Sequence, residues 1–129
     1  DHDPRAVAVQ RTRAAQTRGG ATIIPLQADF TRPLMLPPLD GVLVANALHF
    51  IRDQHAAIKQ ITTYLQPGGR LLVVEYDLER AQRWAPFPLP FARLQELVAN
   101  ADLAHPTLIG TRRSPSTGIV LYAAVAVRP

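Results

Sequence analysis

The strongest constraint on the fold is a pair of short, wholly apolar runs, Gly41-Val42-Leu43-Val44-Ala45 and Leu71-Leu72-Val73-Val74, with a helical stretch between them. Neither run alternates apolar with polar residues. A strand that is apolar at every position expects cover on both faces, as in a parallel sheet flanked by helices. Between the runs, Asp53 is placed to cap a helix, Ala57, Ile61 and Leu65 recur on one of its faces, and Pro67-Gly68-Gly69 reads as its stop. Strand, helix and strand then make a right-handed crossover, with residues 41–45 as a central strand.

The flanking segments extend this α/β pattern. Asp3 before Pro4 reads as the N-cap and first-turn proline of a helix over residues 4–17, ended by Gly19-Gly20. Residues 22–26, with Thr22, Ile23 and Ile24, read as a β-branched strand that Pro25 confines to a sheet edge. Pro33, Pro37 and Pro38 mark residues 30–39 as loop or broken helix. Phe91, Leu94, Val98 and Ala101 set a helix that ends near Asn100. Residues 107–112 and 119–127 read as strands, and the stretch between them is too short for a crossover helix, so this pair is antiparallel.

Composition removes several function classes. A chain of 129 residues, 47% of them hydrophobic, has enough apolar side chain for one ordinary core. The absence of cysteine excludes disulfides and thiolate metal sites. His2, His49, His55 and His105 lie far apart in the chain, so no metal is predicted. Asn46 and His49 interrupt the longest apolar stretch, so no membrane span is expected and the cytoplasm is the default compartment. The net charge of +4 rests on 14 Lys and Arg residues. Beyond Arg5, Arg11, Arg13 and Arg18 these are scattered and have few aromatic neighbours, which makes nucleic acid an unlikely partner and a small-molecule substrate the expected one.

In an open α/β sheet, ligands bind outside the carboxyl ends of the strands, so the polar residues that follow each apolar run deserve the most weight. Asp1 opens the chain, Asp29 follows the edge strand, Asn46 and His49 follow the central strand, and Glu75, Tyr76 and Asp77 follow the next. Their repeated placement on one rim points to a site. His49, Glu75 and Tyr76 stand where a substrate or a proton-transfer partner would be met, with His49 the candidate catalytic residue. Trp84, Phe87 and Phe91 are read first as a helix and loop packed on the sheet, and second as walls of an acceptor pocket.

The runs Leu26-Gln27-Ala28-Asp29-Phe30, Leu39-Asp40-Gly41-Val42-Leu43-Val44-Ala45-Asn46-Ala47-Leu48-His49-Phe50 and Leu65-Gln66-Pro67-Gly68-Gly69-Arg70-Leu71-Leu72-Val73-Val74-Glu75 resemble, in order and spacing, the middle and late motifs of class I S-adenosylmethionine-dependent methyltransferases. The opening Asp1-His2-Asp3-Pro4 is similar to that family's segment after its second strand, and the terminal antiparallel pair also fits it. The resemblance implies a Rossmann-like α/β fold, incomplete here, with a mostly parallel sheet and a C-terminal antiparallel strand pair. It implies S-adenosyl-L-methionine as the cofactor, with Asp1 accepting from the ribose hydroxyls, Asp29 from the adenine amino group, Phe30 flanking the ring, and Asn46 near the methionine portion.

The family's glycine-rich loop has no counterpart, because none of the seven glycines forms Gly-x-Gly after a strand. Residues 1–129 are therefore read as a partial methyltransferase domain whose first strands and glycine-rich loop are absent, with catalysis assigned to an intact parent. An unpaired strand edge would follow, and with it self-association. Two other readings stay open at this point: part of a nicotinamide-dependent Rossmann oxidoreductase, and a non-catalytic methyltransferase-like or nucleic-acid-binding module.

Overall fold

A computed structural model describes all of residues 1–129, which divide into two compact units, Asp1–Leu34 and Met35–Pro129. The first unit carries helix α1, Pro4–Gln16. Asp3 caps it by accepting the Arg5 amide at 2.8 Å, and Pro4 fills a first-turn position that needs no N–H. The helix closes at Thr17, ahead of Gly19 and Gly20, both at positive φ.

Residues 22–26 do not form the expected strand. Ile23, Ile24 and Leu26 are more than half exposed, and no ladder engages them. Pro25 offers no N–H, and an extended β-branched run becomes a strand only where a neighbour takes up its hydrogen bonds. The one backbone neighbour is Asp1, whose amino group donates to the Leu26 carbonyl at 3.1 Å and whose carbonyl accepts the Ala28 amide at 2.9 Å.

The second unit is a four-stranded sheet of β1 (Leu39–Ala45), β2 (Leu65–Tyr76), β3 (Thr107–Arg113) and β4 (Val120–Val127), in the order β1-β2-β4-β3. Helix α2, Gln54–Tyr64, connects the parallel pair β1 and β2, and the Asp53 carboxylate caps it through the Ala56 amide at 2.9 Å. Helix α3, Phe91–Ala99, precedes β3, and β4 runs antiparallel to both β2 and β3. The crossover and the antiparallel ending are as the sequence pattern requires.

Alternation along β2 and β4 defines the covered face. Leu71, Val73 and Glu75 stand opposite Ala126, Ala124 and Tyr122, and all six are buried. Onto the same core come Ala57, Ile58 and Ile61 of α2 and Leu94, Leu97 and Val98 of α3. Each fully buried Leu or Ile contributes roughly 2 kcal/mol of transfer free energy, so these two helical stripes anchor the sheet.

One expectation about the sheet is met and one needs correction. Strand β1, read as central in a complete sheet, is at the edge of the observed one, the unpaired edge expected where the first strands are absent, and Leu43 on its second face is 65% exposed. Its apolar pattern asks for two covered faces, and only the face of Val44 is deeply buried. Secondly, Pro67-Gly68-Gly69 does not end α2, which stops at Tyr64; the three residues lie inside β2. Gly68 takes φ +82° there, and the register against β1 slips between Leu39 and Gly41. The break in the chain's regularity is a kink in a strand, a use of glycine that composition alone does not separate from a helix stop.

Candidate functional site

The sequence-predicted residues fall into two groups, one in each unit. In Asp1–Leu34, the two backbone bonds from Asp1 to Leu26 and Ala28 have the pattern of adjacent parallel strands, and they bring the start of the chain beside the turn that carries Asp29 and Phe30. The Asp1 carboxylate accepts the Asp3 amide at 2.9 Å through Oδ1. Asp29 accepts the hydroxyl and amide of Thr31 at 2.7 and 2.9 Å, also through Oδ1. These two bonds, the hydroxyl first, hold the Asp29 carboxyl below the ordinary aspartate value, with smaller help from Arg32 and His2. So Asp29 does act as a turn cap. Its Oδ2 meets only the exposed Arg32, at 3.6 Å, and has no hydrogen bond, as is true of Oδ2 of Asp1. Both carboxylates keep an oxygen for an outside donor, the requirement for holding a ribose or an adenine amino group. Phe30, beside Asp29, is half-buried.

In Met35–Pro129, the site is built at the carboxyl ends of β1 and β2. Asn46 leaves β1 at φ +51°, its amide bonded to the Val74 carbonyl at 2.8 Å, and its side-chain amide is exposed and makes no hydrogen bond. Asparagine is among the few non-glycine residues that adopt this left-handed conformation readily. The chain then turns through a short 3₁₀ segment, Leu48–Phe50, with Leu48 and His49 buried.

Beneath that turn stands Glu75 of β2, with no exposed surface. Its Oε1 accepts the backbone amides of Leu48 at 2.8 Å and His49 at 3.3 Å, and its Oε2 faces Nδ1 of His49 at 2.7 Å. A buried carboxylate is tolerated only when donors converge on it, and with the Tyr76 amide, 3.3 Å from Oε2, four do here. Sequence reasoning put Glu75 on the rim beside His49; the structure places it under the histidine as its support. Asp77 is also occupied, accepting the Phe91 amide at 3.0 Å and so capping α3.

Around His49 the side chains are aromatic. The ring centroid of Phe50 is 4.2 Å from that of His49, and those of Tyr76 and Trp84 are each 6.0 Å away. Tyr76 and Trp84 meet edge to face at 4.8 Å. Phe91 instead is half-buried and packs against the core residue Tyr122, with ring centroids 5.5 Å apart. Phe87 is half-buried and gives its amide to the His49 carbonyl at 3.0 Å.

One residue was not legible as part of the site. Gln54 is buried and its side-chain amide donates to the carbonyls of Leu48 at 3.1 Å and Phe87 at 2.7 Å, tying the 3₁₀ turn to the aromatic loop. A glutamine one position after a helix cap carries no special pattern in sequence.

Residues 1–73 match the family model described as the methyltransferase domain. The chain belongs to that family. No curated protein matches this methyltransferase domain significantly. Among solved structures it is similar to the CMeT domain of the citrinin polyketide synthase, at 16% identity and a TM-score of 0.77, covering 99% of this chain and 38% of that one. It is also similar to the magnesium protoporphyrin IX methyltransferase of Synechocystis PCC 6803, at 14% identity and a TM-score of 0.72, covering 100% and 57%. The N-methyltransferase NodS of Bradyrhizobium japonicum WM9 follows at 18% identity and a TM-score of 0.69, covering 100% and 64%. At these identities the likeness is one of fold, the Rossmann-like α/β fold of class I methyltransferases. The methyltransferase domain described here spans less than two thirds of each of these three chains.

Proposed function

We propose that the chain is part of a domain that transfers a methyl group from S-adenosylmethionine to a small-molecule acceptor, with the acceptor met at the carboxyl ends of β1 and β2. The observation that carries this reading is the seating of His49 on Glu75 at that rim, within a domain of the methyltransferase family. Neighbours of the same fold support the cofactor: the Synechocystis enzyme is solved with bound SAM, and NodS with S-adenosyl-L-homocysteine.

Each site residue has a task suited to its chemistry. The open oxygens of Asp1 and Asp29 accept from the ribose hydroxyls and the adenine amino group, and Phe30 supplies apolar surface beside the ring. The unengaged amide of Asn46 serves the methionine portion. His49 contacts the acceptor. The cofactor, when bound, supplies an activated methyl carbon on its sulfonium; the protein's own contribution is mostly to fix donor and acceptor in line. Catalysis is assigned to the intact parent, because the chain contains no glycine-rich loop for the methionine portion and is shorter than its structural neighbours.

Calorimetric titration of S-adenosylmethionine into the intact protein tests the reading. Binding is expected, and Asp29→Ala is expected to weaken it by roughly tenfold while leaving the fold in place. No binding, or a thermal shift with a nicotinamide dinucleotide in its place, would overturn it.

A further inference from the structure

The amino ends of β1 and β2, opposite the rim that carries His49, border an open pocket of about 430 Å³. Its lining includes Leu36, Pro37 and Pro38 ahead of β1, Tyr64 and Pro67 around the start of β2, and Arg128 after β4, the only charged residue among those that line it. Arg128 is held at both levels. Its backbone amide donates to the Gly69 carbonyl at 2.9 Å, and its carbonyl accepts the Gly68 amide at 2.8 Å. Its Nη1 donates to the Thr62 carbonyl at 3.4 Å and to the Leu65 carbonyl, where α2 ends, so both hydrogens of that nitrogen are engaged. The Nε and Nη2 side of the guanidinium has no partner in the chain. Arg128 makes no ion pair, and Asp40, at the start of β1, is held instead by the Gln66 side-chain amide. No enclosed side-chain polar atom is unpartnered, so Nε and Nη2 reach the surface at this pocket.

We propose that this pocket binds a small free carboxylic acid with a compact apolar body, its carboxylate paired side-on to Nε and Nη2 of Arg128. The two N–H bonds on that side of a guanidinium run parallel, at the spacing of the two oxygens of a carboxylate. Because Nη1 is already tied to the end of α2, the fork is oriented before the ligand arrives, and less freedom is lost on pairing. The rest of the lining sets the body of the ligand. Pro37, Pro38 and Pro67 bring apolar rings and no backbone N–H, so they match hydrocarbon and offer the ligand no further donor. A dianionic phosphate suits the pocket less well, since one guanidinium balances one charge and the carbonyl end of α2 repels a second. The volume lies in the range of about 300 to 1,000 Å³ typical of small-ligand sites. This site is separate from the methyl-transfer reading, because it lies at the other end of the strands and uses none of the residues assigned there.

Titration of benzoate into the ¹⁵N-labelled full chain, without S-adenosylmethionine, tests this. The Nε–H resonance of Arg128 is expected to move downfield and to saturate with a Kd on the order of 1 mM. Benzamide, of the same shape and uncharged, should bind roughly tenfold more weakly or worse, because the fork then meets one oxygen in place of a charged pair. Absence of a saturable shift with benzoate, or equal affinity for benzamide, overturns the proposal. So does tighter binding of phenyl phosphate, which would make the site one for phosphates, or of N-acetyl-alanyl-proline, which would make it one for the end of a peptide. Arg128→Lys keeps the charge and loses the parallel pair of donors, and should weaken benzoate binding roughly tenfold. Since Arg128 also holds the end of α2, Thr63→Trp supplies an independent variant: it adds bulk to the pocket from an exposed helix position and leaves the arginine in place. Benzoate binding should be lost in Thr63→Trp with the fold retained by circular dichroism, and unchanged affinity in either variant would place the ligand elsewhere.

Discussion

The carboxylate of Glu75 accepts the backbone amide of Leu48 at 2.8 Å, joining residues 27 positions apart in the chain across the ends of two parallel strands. The same carboxylate holds His49, so one buried side chain fixes both the turn after β1 and the ring that follows. Removing it strands four donors, the amides of Leu48, His49 and Tyr76 and the His49 ring. Glu75→Ala is expected to destabilise the protein by about 3 kcal/mol or more, the scale of breaking one side of a buried charged pair. Glu75→Gln keeps a carbonyl oxygen for the backbone amides and should lose much less. Urea unfolding of the two variants checks this, and equal losses would show that the donors find other partners.

Gly69 is confined by backbone on two sides. A Cβ there would stand 2.8 Å from the Gln66 carbonyl oxygen and 3.0 Å from that of Leu39, neither of which can swing aside. Gly68 has open space, but its φ of +82° disfavours any L side chain. Gly69→Ala is therefore expected to cost about 2 to 3 kcal/mol through overpacking. Gly68→Ala should cost about 1 kcal/mol through backbone strain alone. Thermal or urea denaturation that ranks the pair in the reverse order would contradict the described path of β2.

Much of the fold could be read from residue patterns, because helix caps, crossovers and hairpins are local statements. Asp53 and Asp3 cap where expected, and the short link before β4 forces the antiparallel pairing that is observed. Failures arose where the outcome depended on a neighbour. Residues 22–26 have the composition of a strand and no ladder to join, and Pro67-Gly68-Gly69 has the composition of a helix stop yet lies within a strand paired to β1. At the site, the rim placement of Asn46 and His49 was legible, since it follows from strand ends. The burial of Glu75 was not: position 75 shares a face with Leu71 and Val73 by simple alternation, but a glutamate there reads as solvated until its four donors are seen.

The Asp29 carboxyl should titrate below the ordinary aspartate value of 3.8, because the Thr31 hydroxyl and amide favour its charged form. A carboxylate depressed in the folded state stabilises the fold above the unfolded value, and that contribution is lost as pH falls through the folded one. The window for this loss is thus below pH 3.8. Carbon-detected NMR titration reads the midpoint directly, and Thr31→Val should move it upward. A midpoint unaffected by that substitution would mean the turn does not hold the charge.

Tyr122 lies on the buried face of β4, and its hydroxyl donates to the Leu89 carbonyl at 2.8 Å. Burial first, and the negative charges of Glu75 and Asp77 after it, push its ionisation well above the ordinary value of 10. A group whose folded value is raised stabilises the fold fully below the unfolded value and loses that contribution as pH climbs toward the folded one. Stability should therefore fall above pH 10, and Tyr122→Phe should flatten that alkaline decline. At neutral pH the same variant leaves the Leu89 carbonyl unpaired and should cost about 1 to 2 kcal/mol.

The outer edge of β1 offers the last test. Its pairing to β2 uses one side of the strand, and no strand of the chain pairs with the other. Leu43 adds an apolar side chain that is 65% exposed on the same strand. Unpaired backbone groups beside exposed apolar surface form a template for another chain, so the 129-residue chain by itself is expected to self-associate as its concentration rises. Leu43→Lys should suppress this, because a charge on an edge strand resists pairing and costs little where the side chain is already in water. Static light scattering over a range of concentrations distinguishes the cases. A monomer at every concentration, or association unchanged by Leu43→Lys, would show that this edge is not the adhesive surface.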